Sequence, residues 1–492
     1  MRDGDLGGDL VPARHDAPDR DRPGLRVVAV ELDDVPAGAD PLACVRPVHD
    51  HVLRELAARR IPLARLEELP QPPDGLAVLM PALHCDERID AGSRVEPMRR
   101  LLILVSSIVL VETIFFSALS PLLPHYSDEF GLSKSESGIL VAAYALGGFV
   151  GAIPGGLFAQ RIGVKPTVLF GLAVMSSMSV VFGFADSVWL LDVARLGQGF
   201  GSAFAWGGGL AWLVAAAPRN RRGELIGIAM GAAVGGALLG PVLGSVATIV
   251  GTGPAFSGVA ALGAGLGVWA WMTPAFSPGE RQPLAALFRA VREPRVAGGI
   301  WLLALPSLLF GVIGLLAPLR LDELHFSGTA IGAVFLVAAG FEVLASPLIG
   351  RWSDRSGRLA PARAFLVVAT VMSLLLPWPE ERWTLAALVV GASIAYGAFF
   401  VPGTALLSDG AEDVGLDQGF GFALLNLAWA PGHIVGSAAG GALADAMGDA
   451  VPYLILAGLC LATLFAVRRA PAALTQRAPR PRRGPSDPPS RG

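Results

Sequence analysis

The sequence predicts an all-α membrane protein with twelve transmembrane helices in two six-helix bundles related by pseudo-symmetry. Three observations lead to this fold class: an apolar composition, a series of long apolar runs, and an internal repeat. Of the 492 residues, 53% are hydrophobic and only 16% are charged, whereas about 25% of residues are charged in soluble domains. An ordinary soluble enzyme is therefore excluded.

Twelve apolar runs separated by short polar breaks fill the chain from about residue 100 to residue 467. A run of about 20 residues crosses a hydrocarbon core of about 30 Å, and at this length only a helix satisfies its own backbone in lipid. The runs lack the polar stripe of a helix in a soluble protein. In order, spans 1 to 12 are predicted at 100–123, 138–159, 166–184, 188–216, 225–250, 252–272, 298–319, 329–350, 363–379, 384–407, 419–443 and 450–467.

The charge distribution divides the chain into segments. Residues 1–97 hold 12 arginines and 19 acidic residues, so about a third of them are charged, against about an eighth of the rest. We predict a poorly structured or remnant N-terminal extension at 1–97 and a first bundle at 98–272. A cytoplasmic linker at 273–297, a second bundle at 298–467 and a disordered cytoplasmic tail at 468–492 follow.

Positive charges predict the orientation. Arginines crowd the loops on the side of the two bundle ends, whereas the opposite loops carry only Lys134, Arg320 and Arg382. By the positive-inside rule both termini are cytoplasmic, and we expect a multi-pass protein of the plasma membrane, here a bacterial inner membrane. A net charge of −3 offers no basic surface for nucleic acid. Three scattered cysteines predict no metal site.

Short motifs recur between the two sixes. Span 2 ends in a segment from Gly156 to Lys165, and span 8 ends in a similar segment from Gly350 to Arg358. Glycines spaced by four in span 5 recur in span 11. Parallel repeats imply two halves about an axis along the membrane normal, with a cavity between them.

These residues resemble the major facilitator superfamily, and within it the twelve-helix drug/proton antiporters. The segment Gly350 to Arg358 is similar to the GxLxDRxGR signature, Arg195 to Gly201 to the RxxQGxG element, and Gly236 to Gly244 to the GxxxGPxxGG antiporter element. Gln160 and Ser245 depart from those patterns. The gating residues implied by the motifs are Gly156, Arg161, Gly163, Gly350, Asp354, Arg355, Gly357, Arg358, Gly236, Gly240, Pro241 and Gly244.

Charged residues inside spans are the candidates for proton coupling. Ionisable groups at membrane depth are costly and are functional by default. Glu112 lies twelve residues after Arg100, about 18 Å along a helix, and apolar surroundings disfavour the charged form of a carboxyl. An acid in span 1 also resembles proton-driven exporters and vesicular amine transporters. The full set is Glu112, Arg195, Asp192 and Glu342. Asp192 precedes Arg195 by one helical turn, so the two alternatively neutralise each other.

Polar and aromatic residues at similar depth are candidates for the substrate cavity. They are Tyr144, Gln198, Trp206, Asn426, Trp429 and His433. For each, ordinary packing is the alternative. The acids that vesicular amine transporters carry in spans 10 and 11 are missing here, so an amine substrate is not favoured.

We predict a proton-coupled exporter of small, partly hydrophobic molecules that works by alternating access. We expect a monomer in the lipid bilayer whose partners are the substrate and protons. The proton gradient supplies the energy, so no cofactor and no enzymatic activity are expected. An importer or uniporter for a sugar or metabolite is the alternative within transport. A membrane-anchored enzyme with a catalytic N-terminal region and a non-transporting sensor are the alternatives of other classes.

Overall fold

The structure is a computed structural model that describes residues 79–217, 221–275, 289–357, 359–415 and 418–469. Most of the predicted N-terminal extension, much of the linker and nearly all of the C-terminal tail lie outside these ranges. Arg358 also lies outside them, as do the side chains of Asp354 and Asn426 and those of residues 79–97.

Every regular element in the described ranges is an α-helix. The N-terminal half contains α1 (Leu79–Ser117), α2 (Leu123–Phe130), α3 (Lys134–Arg161), α4 (Val164–Gly183), α5 (Val188–Ala216), α6 (Arg222–Val250) and α7 (Thr252–Met272). The C-terminal half contains α8 (Pro294–Glu323), α9 (Gly328–Ser356), α10 (Leu359–Leu375), α11 (Arg382–Gly397), α12 (Phe400–Asp413), α13 (Gln418–Met447) and α14 (Ala450–Arg469).

The all-α membrane class is confirmed. Within the described ranges, ten spans are long and apolar enough to cross a membrane, one of them combining α11 and α12. The apolar helix α10 falls short of that length at 17 residues, and α13 has 30 residues. The predicted span 10 is a broken helix, because α11 ends at Gly397 and α12 starts at Phe400. Helix α1 starts earlier than predicted and ends earlier, at Ser117.

The glycines of the repeated loop motif have a backbone requirement in common. Gly163 joins α3 to α4 with a φ of 112°, and Gly357 joins α9 to α10 with a φ of 87°. Side chains with a Cβ rarely adopt positive φ. Equivalent loops of the two halves therefore make the same sharp reversal, and glycine is favoured at both.

The repeated glycines of α6 and α13 allow close helix packing. A Cβ on Gly236 would collide with the main-chain oxygen of Leu110 in α1, and a Cβ on Gly432 would collide with that of Ala304 in α8. Helix backbones approach this closely only where side chains are absent. Each half thus packs its fifth predicted span against its first.

The two halves meet along α3 with α13 and along α6 with α9. Lys134 at the start of α3 forms an ion pair of 2.7 Å with Asp449 and a longer one of 3.8 Å with Glu323. Asp445 accepts hydrogen bonds from the amides of Lys134 (3.0 Å) and Ser135 (2.7 Å), where a helix N-terminus favours negative charge. We call these five residues the Lys134 latch.

Toward the opposite end of α3, which contains Arg161, and at the start of α6, several glycines are exposed. A Cβ on Gly156 of α3 would meet no atom within 4 Å, and the same holds for Gly227 and Gly231 of α6. At the latch end, by contrast, a Cβ on Gly138 of α3 would collide with the main-chain oxygen of Ser437 in α13. A Cβ on Gly441 of α13 would in turn collide with the main-chain oxygen of Lys134, so the two helix backbones approach closely at the latch.

Candidate functional site

Glu112 is enclosed by three helices of the N-terminal half. Its side chain is 7% exposed. The Tyr144 hydroxyl of α3 donates a hydrogen bond of 3.2 Å to Glu112 Oε1, and Ser202 of α5 donates a short one to the same oxygen. Glu112 Oε2 is buried without a partner among the described residues. The carboxyl is thus fixed through one oxygen, while the other is free to take a proton.

Arg195 of α5 holds the end of α1. Its guanidinium donates to the main-chain oxygens of Phe115 (3.0 Å) and Phe116 (3.3 Å). These carbonyls belong to the last turn of α1, where intrahelical partners run out and a cation is stabilised. The guanidinium also lies 4.8 Å from the centre of the Tyr144 ring. Tyr144 therefore contacts both buried ionisable side chains.

The interpretation of Asp192 and Arg195 as a neutralising pair is wrong. In the described part of the chain Arg195 forms no ion pair, and its side-chain partner is Gln198 at 3.2 Å. Asp192 is half-buried, and its Oδ1 has no hydrogen-bond partner there. Spacing by one helical turn put the two residues on one side of α5, but the guanidinium reaches toward α1 instead.

Glu342 lies apart from this cluster, in α9 of the other half. Its side chain is half-buried, and a Cβ on Gly397 of α11 would collide with its carboxyl group. Its carboxyl forms no hydrogen bond with the described residues, and only its main-chain oxygen accepts one, from Ser346. Glu342 and Glu112 are thus two separate candidates for the proton.

Four aromatic side chains form a cluster across the two halves. Phe116 of α1 lies 5.3 Å from Tyr144, 5.1 Å from Trp429 and 5.3 Å from His433, measured between ring centres. Trp429 and His433 of α13 stack on each other at 5.0 Å. Two predicted cavity residues of the C-terminal half therefore contact the turn of α1 that follows Glu112.

Sequence reasoning missed Phe116 and Ser202. Phe116 follows Glu112 by four residues, and Ser202 follows Gln198 by four, so each lies one helical turn from a residue that was identified. That spacing was the available signal. It does not show which neighbour faces another helix.

The remaining cavity candidates differ in their burial. Gln198 is fully buried and donates to the Ser179 hydroxyl at 3.1 Å. Trp206 is half-buried against the core, and the Asn426 side chain lies outside the described residues. No group of three His, Cys, Asp or Glu residues in the described ranges is placed to hold a metal ion.

The gating motifs lie near helix ends and at the packing glycines described above. Arg161 and Arg355 are exposed in the last turns of α3 and α9. A Cβ on Gly240 would collide with Ser117, and one on Gly244 with Ala118, both beyond or at the end of α1. Gly350 has room for a Cβ, and Pro241 lies inside α6.

The profile of the Major Facilitator Superfamily matches residues 105–319 and 304–490. The chain belongs to the major facilitator superfamily. This is a family of membrane transporters, and the predicted membership in the superfamily is confirmed.

Relatives and a solved structure agree with this assignment. Over 314 residues the chain is 26% identical to the synaptic vesicular amine transporter of Homo sapiens, covering 61% of this chain and 59% of that protein. It is 30% identical to Multidrug resistance protein 1 of Bacillus subtilis over 155 residues, or 30% and 38% of the two chains. The chain thus aligns with less than two thirds of either relative.

The fold is similar to that of a bacterial homolog of the human lysosomal transporter Spinster, solved in an inward-facing, unoccupied conformation. The TM-score is 0.60 at 17% identity, over 76% of this chain and 95% of the other. At this identity the likeness concerns the fold alone.

Proposed function

We propose that this chain is a proton-coupled exporter of small, partly hydrophobic molecules, in which Glu112 carries the proton. The family supports transport, and similarity to a multidrug resistance protein supports export of such molecules. The observation that carries the proposal is the carboxyl of Glu112, buried inside the bundle with one oxygen lacking a partner.

The surroundings of Glu112 suit reversible protonation. A buried carboxylate oxygen without a hydrogen bond is costly, and a proton on Oε2 removes both the charge and that cost. Tyr144 and Ser202 hold Oε1 in either state, since a protonated carboxyl keeps an acceptor oxygen. The group can therefore gain and lose a proton without losing its position.

Glu112 lies close to the interface between the halves, so a change in its protonation state can affect the contacts there. Phe116 lies one turn further along α1 and contacts Trp429 and His433 of the other half. Arg195 fixes the same turn through its carbonyls. A small movement of α1 on protonation would therefore change the ring contacts between the halves.

The Lys134 latch supports alternating access in the predicted orientation. With both termini cytoplasmic, the latch lies on the outer side, so the two halves are joined there in the described conformation. Entry of protons from outside then requires the latch to open.

The test is efflux in inverted membrane vesicles with an acidic interior. Wild-type protein should accumulate ethidium or a neutral lipophilic dye inside the vesicles, and Glu112→Gln should abolish the part that depends on the pH gradient. Glu129→Gln is the matched control, because Glu129 is exposed on α2. Full accumulation by Glu112→Gln would overturn the proposal.

The same assay separates the alternatives. A uniporter would equilibrate the dye whatever the pH gradient, and a proton-coupled importer would move the dye out of vesicles with an acidic interior, so neither would accumulate it. If the chain is an exporter, deletion of residues 1–97 should preserve dye accumulation. If it is a membrane-anchored enzyme, the same deletion should abolish an activity that does not depend on the pH gradient.

A further inference from the structure

Trp429 and His433 form a stacked ring pair on the face of α13 that meets the N-terminal half. Their ring planes are inclined by only 14°, and they lie one helical turn apart. His433 is 5% exposed, yet its Nδ1 has no hydrogen-bond partner among the described residues. Buried polar atoms are normally satisfied, so this nitrogen needs an explanation.

The unpartnered atom of His433 defines what the ring offers. Nδ1 is the buried ring nitrogen without a hydrogen bond among the described residues, and with the proton on Nε2 it is the acceptor. A neutral imidazole that donates from one nitrogen accepts at the other. Nδ1 is therefore a buried acceptor without a donor.

Phe116 covers the ring pair from the opposite half. Its ring meets Trp429 at 74° and His433 at 62°, so it stands edge-on to both. Because Phe116 belongs to α1 and the pair to α13, separation of the halves at this level uncovers the pair. Its surface is then a flat aromatic area with one hydrogen-bond acceptor at its side.

We infer that Trp429 and His433 form a substrate platform for a flat aromatic molecule that carries an N–H donor. The rings supply stacking, and Nδ1 accepts the substrate N–H. Apolar Phe116, whose ring lies against that of His433, has no donor to offer Nδ1. This inference rests on the proposed function in taking the cluster as part of the substrate path.

The test compares indole with 1-methylindole, two flat neutral probes that differ in the N–H group. Binding to purified full-length protein in lipid nanodiscs is measured by calorimetry without a pH gradient. Indole should bind about tenfold more tightly, since the methylated probe leaves Nδ1 unpaired. Equal affinity of wild-type protein for the two probes would overturn the inference.

Three variants assign the effect to the platform. His433→Phe keeps a ring without an acceptor, so the affinity ratio should fall to about one, and His433→Asn, which restores an acceptor, should keep a ratio above one. Trp429→Leu should weaken both probes by about tenfold while preserving the ratio. Val435→Ala, at a 53% exposed position of α13, is the control.

Thermal unfolding of each variant shows whether it is folded. A folded His433→Phe protein that still prefers indole would overturn the inference. Failure of the proposed function is a different result. Selective indole binding without gradient-driven efflux in vesicles would support the platform and contradict the proposed export. Dye efflux that depends on Glu112, without any preference for indole, would support the proposed export and contradict the platform.

Discussion

In the N-terminal half (α1–α7) and in the C-terminal half (α8–α14), a basic side chain binds the C-terminal end of the last helix. Lys165 donates to the main-chain oxygens of Trp271 and Thr273 at the end of α7, and Arg363 donates to that of Val467 near the end of α14. Cations stabilise helix C-termini. With the paired glycine contacts and the two positive-φ loops, this shows that the repeat preserves the scaffold.

The halves differ in the polar groups that they bury. The N-terminal half buries a carboxyl and a guanidinium, Glu112 and Arg195, whereas the buried polar residues described in the C-terminal half are serines, a threonine and His433. Even an equivalent contact changes: Gln198 with Ser179 in one half corresponds to Tyr396 with Ser373 in the other, at 2.8 Å. We therefore expect proton coupling in the first half and aromatic recognition in the second.

The largest expected effect distinguishes the two acids. Glu112→Gln should reduce gradient-driven dye accumulation by about 100-fold, the scale on which a proton-transferring group acts. Glu342→Gln should keep accumulation near the wild-type value, because its carboxyl lies in the half without a buried cation. Inverted vesicles with an acidic interior measure both. The opposite order of the two variants would assign coupling to the C-terminal half.

Stability should respond unequally to the corresponding polar contacts. Arg195→Met removes hydrogen bonds from a charged donor and leaves two carbonyls unsatisfied, which should lower the free energy of unfolding by about 3 kcal/mol. Tyr396→Phe removes a neutral hydrogen bond and should cost about 1 kcal/mol. Denaturant unfolding in detergent compares them. Equal losses would contradict the proposed difference between the halves.

The shared scaffold predicts equal effects at the packing glycines. Gly236→Ala and Gly432→Ala each push a methyl group against a facing backbone, at a cost of about 2 kcal/mol. Gly231→Ala is the control, since a Cβ there meets open space. Thermal unfolding of the three variants measures the cost. A loss confined to one half would show that the repeat does not preserve packing.

The smallest expected effect concerns the latch between the halves. Lys134→Gln removes ion pairs that are partly exposed, and such pairs contribute at most about 1 kcal/mol. The population open at the latch end should then rise by about fivefold. Labelling of Ser245→Cys by an impermeant maleimide measures it, because Ser245 faces Gly332 of the other half. An unchanged labelling rate would show that the Lys134 latch does not control opening at that end.

Several features of the site could be predicted from sequence because they depend on local properties. The depth of Glu112 follows from its distance along a helix, and the importance of Gly163 and Gly357 from a repeated motif. The partners of Arg195 could not be predicted, since Phe115 is 80 residues away. Its nearest acid in sequence, Asp192, is not its partner.

Only part of the aromatic cluster could be predicted from the sequence. Trp429 and His433 were candidates because of their depth in span 11, but their contact with Phe116 depends on how α1 and α13 are rotated. The break between α11 and α12 was also missed, because hydropathy stays high through it.

The sequence alone determined the membrane class, the apolar runs, the repeat and the family, because hydropathy and glycine spacing are properties of neighbouring residues. Only the tertiary structure decided that Tyr144 and Ser202 hold Glu112, that Arg195 binds the end of α1, and that Phe116 covers the rings of α13. Those contacts join residues separated by tens to hundreds of positions. They depend on helix rotation and close backbone approach, which no single run of residues encodes.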